Sequence, residues 1–126
     1  MRVLPSVSGL IAAAAILLPL AVQAGQPFDA AAFQQAQAAA KTILVDVSAP
    51  WCPTCQAQKP TVQALEQSQP SLVVFDVDFD TAKDVLRRFK VQYQSTLIVF
   101  KGATEVGRST GETRPDAIRA LVAKGL

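Results

Sequence analysis

The chain has 126 residues, half of them hydrophobic, with twelve basic and ten acidic side chains, two cysteines and no histidine. That length suits one small domain with a core of its own, and with a formal charge of +2 and basic residues scattered among acidic ones nothing points to nucleic acid or an anionic membrane surface. Two cysteines without a histidine fall short of the four ligands a structural zinc site needs within one chain.

Arg2 gives the N-terminus a short positive region, Leu10 to Val22 is an apolar run broken by Pro19, and Val22-Gln23-Ala24 ends in small residues that a signal peptidase accepts. Residues 1–24 therefore read as a secretory signal. The apolar run is shorter than the roughly 20 residues of a comfortable membrane span, and an uncleaved membrane anchor is the alternative reading. Cleavage near Ala24 would leave residues 25–126 as one domain of formal charge +1, in a periplasmic or secreted setting. Such compartments are oxidising, so an isolated dithiol there drifts to the disulfide unless a partner keeps reducing it.

Asp29 suits a helix N-cap, with Phe28 and Phe33 at the two staple positions, and the Ala/Gln run that follows predicts helix as far as Lys41. Thr42 to Val47 is a β-rich, mostly apolar run, as in a central buried strand. Cys52 to about Ser68 is helical in pattern, with Val62 and Leu65 on one face and Pro60 inside it, where the missing N–H predicts a kink. Leu72 to Asp78 reads as a second strand, and Thr81 to Phe89 as a helix capped by Asp80 or Thr81. Arg87, Arg88 and Lys90 then oppose the negative end of that helix rather than forming a binding patch. Thr96 to Phe100 is a third strand, and Lys101-Gly102-Ala103-Thr104 a turn into a short antiparallel strand over Glu105 to Arg108. Thr113-Arg114-Pro115-Asp116 opens a last helix with a capping-box-like arrangement, and Gly125 closes it. The expected architecture is α/β: a mixed sheet of about four strands with helices on both faces.

The chemistry concentrates in Ala49-Pro50-Trp51-Cys52-Pro53-Thr54-Cys55, which holds both cysteines three positions apart beside the tryptophan. A helix starting at Cys52 would set its sulfur among unpaired backbone N–H groups at the positive end of the dipole, lowering the thiol pKa. Cys55, one turn deeper, would be shielded and would resolve a mixed disulfide. A purely structural role is a weaker reading, because closing a four-residue loop stabilises by only about 2 kcal/mol.

Ile43-Leu44-Val45-Asp46, then Trp51-Cys52-Pro53-Thr54-Cys55, Pro60, Thr96 to Gly102 and Gly111 together resemble the thioredoxin-fold family in order and spacing, from about Phe28 to Leu126. The resemblance implies a thiol-disulfide oxidoreductase acting on protein cysteines. It makes Cys52 the nucleophile, Cys55 the resolving thiol, and Asp46 the buried acid, with no cofactor or metal beyond the redox-active disulfide. Independently of the family, a carboxylate inside an apolar strand is desolvated, so its pKa should rise until it can exchange a proton near neutral pH. Trp51, Gln94, Ser95 and Thr96 correspond to the substrate groove, and Pro53 and Thr54 to the residues that tune the motif.

Two departures from the family pattern stand out. Its lysine partner for the buried acid appears here as Val74, which would raise the Asp46 pKa further. Its cis-proline is replaced by Ser95, which would leave the Gln94–Ser95 bond trans or set a hydroxyl beside the sulfurs. Because Pro53-Thr54 lacks the histidine of strongly oxidising relatives, the expected direction is reductive. Electrons would come from a membrane thiol transporter of the CcdA or DsbD kind and pass from a monomer to exported proteins with oxidised cysteines. The alternative is a dimer holding an iron–sulfur cluster or metal through Cys52 and Cys55 of two chains.

Overall fold

The structure, a computed structural model, describes residues 25–126; the expected signal segment, residues 1–24, lies outside them. Elements follow in the order β1 (Gln26–Pro27), α1 (Ala30–Ala38), β2 (Thr42–Ser48), α2 (Pro53–Ser68), β3 (Leu72–Asp78), α3 (Lys83–Phe89), β4 (Thr96–Lys101), β5 (Thr104–Thr110) and α4 (Pro115–Ala123). One mixed sheet has the order β1-β3-β2-β4-β5. β1 and β2 each run parallel to β3, while β2–β4 and β4–β5 are antiparallel. β1 is the strand the sequence pattern did not predict. It is two residues long and contains a proline, which an edge strand tolerates.

Strand alternation divides the core into two layers. Ile43, Val45 and Val47 of β2 pack with Phe33, Phe75, Phe89 and Phe100 under α1 and α3. Leu44 packs on the opposite face with Val62 and Leu65 of α2 and Ile118 and Val122 of α4. Asp46 shares the parity of Leu44 and so belongs to the α2 side of the sheet.

The boundaries show where local propensity was overruled. Asp29 caps α1 as expected, its carboxylate accepting the Ala32 N–H at 2.7 Å, and the Phe28 and Phe33 rings stand 5.4 Å apart. The helix ends at Ala38 rather than Lys41, because Ala40 turns left-handed (φ 54°) and Lys41 N–H closes back on the Ala36 carbonyl, freeing Thr42 to enter the sheet. α3 starts at Lys83, later than Thr81. The carboxylate of Asp78 accepts the N–H groups of Asp80 and Thr81, so neither of those side chains caps the helix. The capping box expected at α4 is also absent: Glu112 accepts the Arg114 N–H from outside the helix, and no side chain bonds the cap position.

Candidate active site

Central strand β2, buried from Thr42 to Val47, ends at the loop that carries the cysteine motif. Cys52 N–H donates to the Ala49 carbonyl at 3.1 Å, which folds the chain back into α2. Cys52 is the N-cap of that helix, and its Sγ accepts the Cys55 N–H at 3.1 Å. Pro53 follows at the start of the helix, where a missing N–H costs nothing. Helix dipole and amide donor therefore converge on the Cys52 sulfur, the position at which a thiolate is stabilised.

Cys52 and Cys55 are joined by a disulfide with Cα atoms 5.3 Å apart. Each residue is only 1% exposed, so burial does not separate nucleophile from resolver as the sequence pattern suggested. Helix position does: one sulfur occupies the cap and the other follows inside the first turn. Trp51 is 57% exposed beside them, its indole N–H donating to Asp80 at 2.8 Å, and Tyr93 is 64% exposed on the loop before β4.

No peptide bond among the described residues is cis, so the Gln94–Ser95 bond is trans. Ser95 is itself left-handed (φ 59°), and its Oγ lies 3.3 Å from Cys52 Sγ and 3.5 Å from Cys55 Sγ. Disulfide sulfurs carry no hydrogen, so the hydroxyl is the only donor. Both options left open by the sequence are thus realised together: a trans bond and a hydroxyl on the sulfurs. The Ser95 carbonyl accepts from Gln58 Nε2 at 3.1 Å and from Gly111 N–H at 3.0 Å, which holds the residue in its strained backbone conformation. Gln94 is half-buried. Thr96 is buried, its hydroxyl spent on the Tyr93 carbonyl at 2.8 Å and on Thr110 Oγ1 at 3.0 Å.

Gln58 was not anticipated. It is fully buried on the α2 face that carries Cys55, Val62 and Leu65, and the same Nε2 also donates to the Glu112 carbonyl at 2.9 Å. A polar residue at helical spacing within an apolar stripe was the available signal.

Asp46 is 5% exposed, and its Oδ1 has no hydrogen-bond partner. The β2–β3 register corrects the sequence reading of its neighbour. Val74 stands opposite Leu44, and the residue opposite Asp46 is Asp76. Val74 and Asp76 share a face two positions apart, and nothing in the sequence fixes a parallel register to that accuracy. The acid that lacks a lysine partner therefore has a second carboxylate in its place. Burial, reinforced by Asp76 and opposed by Lys59, pushes the Asp46 carboxyl up to about 7. Asp76 rises to about 6 through burial and the nearby Glu66, again opposed by Lys59. Asp46, Asp76 and Lys59 line one cavity of about 450 Å³ with Ala49, Pro50 and Gln56, beside the first turns of α2.

The sequence matches the thioredoxin family profile over residues 25–124. The chain belongs to the thioredoxin family. It is 32% identical to the H-type thioredoxin of Fagopyrum esculentum over 71% of this chain and 77% of that protein, and 33% identical to thioredoxin of Chlamydia trachomatis serovar D over 65% and 80%. Among solved structures, Trxlp from Edwardsiella tarda EIB202 superposes with a TM-score of 0.74 at 45% identity, covering 77% of this chain and 96% of that one. The fold is the thioredoxin fold, and the chain is a disulfide oxidoreductase that works through its own Cys52–Cys55 pair without a cofactor. Among the described residues, no group of three or more His, Cys, Asp or Glu side chains is placed to hold a metal ion, and no helix is long and apolar enough to cross a membrane.

Proposed function

We propose that this thioredoxin acts outside the cytoplasm as a monomeric reductant of exported proteins. The observation that carries the reading is the placement of the Cys52 sulfur at the α2 N-cap, with the Cys55 amide and the Ser95 hydroxyl both directed at it. In the reduced protein the Cys52 thiolate attacks a substrate disulfide, forming a mixed disulfide and expelling one substrate thiolate. Asp46 takes the proton of the Cys55 thiol. The new thiolate attacks Cys52, closes the internal disulfide and releases the substrate as a dithiol. Two electrons have then left the protein, and a membrane thiol transporter of the CcdA or DsbD kind returns them by the same exchange run from its own dithiol.

Trp51 and Gln94 border the groove in which the substrate chain lies, and Pro53 and Thr54 set the stability of the thiolate between the cysteines. Export is supported by the N-terminal pattern around Arg2, Leu10 to Val22 and Ala24, and by a family match that begins at residue 25. The reductive direction is supported by a Pro53-Thr54 pair that offers no imidazolium to hold the thiolate. Alkylation of periplasmic protein with a mass-tagged thiol reagent tests location and direction together. The pair should be reduced in cells that contain the transporter and oxidised in cells that lack it. A pair that is oxidised in both would overturn the reductive assignment.

A further inference from the structure

Gly25, the residue after the expected cleavage position, is already fixed in the fold. Its backbone nitrogen lies 3.0 Å from Oε1 and 3.0 Å from Oε2 of Glu66 on α2. As an amide, Gly25 shares its one hydrogen between the two oxygens in a bifurcated bond, whereas an ammonium at the same nitrogen has three hydrogens, gives each oxygen a bond of its own and adds a positive charge. Gly25 also has φ 68°, and a methyl group built on it would stand 2.6 Å from each carboxylate oxygen of Asp76. A side chain at Gly25 would have to displace the Asp76 carboxylate, and the positive φ disfavours one as well. β1 then pairs Pro27 with Asp76, and Phe28 N–H donates to the Asp76 carbonyl at 2.9 Å, so the first four described residues are anchored around this one acid.

The charges around this point do not balance. Asp46 on β2, Asp76 on β3 and Glu66 on α2 act on one another, and Lys59 is the cation that acts on Asp46 and Asp76; Asp78 lines the same cavity. Asp46 Oδ1 is buried without a partner. We propose that hydrolysis of the Ala24–Gly25 bond by signal peptidase completes the active site, by creating an α-ammonium at Gly25 that pairs with Glu66 and stands beside Asp76. Water adds across the peptide bond, leaving a carboxylate on Ala24 and an amine on Gly25 that takes up a proton. The mature N-terminus then serves as a positioning cation for the carboxylates behind the cysteines, acting on Asp46 through Asp76. Maturation and redox tuning become one event, and the precursor carries a site whose acids are short of a counter-charge.

This inference rests on the export reading, and the test separates the two. The full chain is exported in a bacterium and its N-terminus read by intact mass. Denaturant midpoints near pH 6 and carboxyl-carbon NMR titrations are then compared with a chain made in the cytosol that keeps Gln23-Ala24 ahead of Gly25, each with and without Glu66→Gln. The expected result is a start at Gly25, a larger loss of midpoint on Glu66→Gln in the processed chain than in the extended one, and Asp46 and Asp76 titrating at lower pH after processing. The titration comparison needs no substitution, so it holds even if Glu66→Gln fails to fold. Export with cleavage elsewhere, or a start at Gly25 with identical titrations in both chains, would overturn the proposal while leaving export standing. An unexported, uncleaved chain would overturn both.

Discussion

The Ser95 hydroxyl lies within 3.5 Å of both active-site sulfurs, on a residue whose own φ is 59°. Once the disulfide opens, the same hydroxyl can donate to the Cys52 thiolate, an interaction that the neutral thiol uses less well. Ser95→Ala should therefore raise the Cys52 pKa by roughly one unit, since a hydrogen bond to a charged group is worth about 1.5–3 kcal/mol and each unit corresponds to about 1.4. Ultraviolet thiolate absorbance against pH measures it; an unchanged midpoint would remove Ser95 from thiolate stabilisation.

Ser95→Pro asks a different question. Proline is locked near φ −65°, so it cannot take the observed backbone conformation without rearranging the loop between Tyr93 and Thr96. The Gln58 and Gly111 bonds to the Ser95 carbonyl should be lost or redirected. Loss of slow amide exchange at Gly111 reports this directly.

Gln58→Ala should destabilise the fold by about 1–2 kcal/mol, because the half-buried Glu112 carbonyl loses its Nε2 donor and the Ser95 carbonyl keeps only the Gly111 N–H, while removal of the unpartnered Gln58 Oε1 offsets part of the loss. Urea unfolding at a single pH is sufficient. An effect within about 0.5 kcal/mol, the range of surface substitutions, would show that water or a neighbouring donor takes its place.

The pH dependence of stability follows from Asp46. Its carboxyl titrates at about 7 in the folded chain, against an ordinary value of 3.8 that it regains on unfolding. The folded state thus holds the proton over a range in which the unfolded state has released it. This contribution is fully present below about pH 4, falls as the pH rises to about 7 and levels off above, and Asp76 acts in the same sense up to about 6. Asp46→Asn should flatten the decline and stabilise the protein at pH 8 by roughly 2–4 kcal/mol, while slowing release of the mixed disulfide for want of a base. Thermal or urea denaturation between about pH 4 and 8 shows the first, and rapid-mixing exchange with a disulfide peptide the second.

Asp76→Lys restores a cation opposite Asp46. The midpoint of the pH–rate profile for exchange should move down from about 7, and Asp76→Asn should move it less, having removed a charge without reversing it. Identical profiles in all three proteins would mean that Asp46 does not sense Asp76.

The family and the cysteine chemistry were legible because they are written locally. A buried strand, Trp51, two cysteines one helical turn apart and Pro60 occupy a short stretch of chain, and each declares its role through spacing. Asp46 could be marked as buried from the apolar residues around it. Its partner could not: Val74 and Asp76 share one face of β3, and only the register set by Thr42 opposite Leu72 decides which meets the acid. The same holds for Gln58, which touches Ser95 and Glu112 across 37 and 54 positions of sequence. Glu66 and Gly25 meet across 41. β1 was hidden for another reason, since two residues that include a proline carry no periodicity. The helix starts at Lys83 and Pro115 were moved by Asp78 and Glu112, acids that bind backbone N–H groups before the helices begin.

The central claim is a reductant built on Cys52 and Cys55, and equilibration of the purified domain with glutathione buffers tests it most directly. The predicted potential lies near that of reducing thioredoxins, about −270 mV. A value near that of the strong oxidant DsbA, about −120 mV, would contradict it.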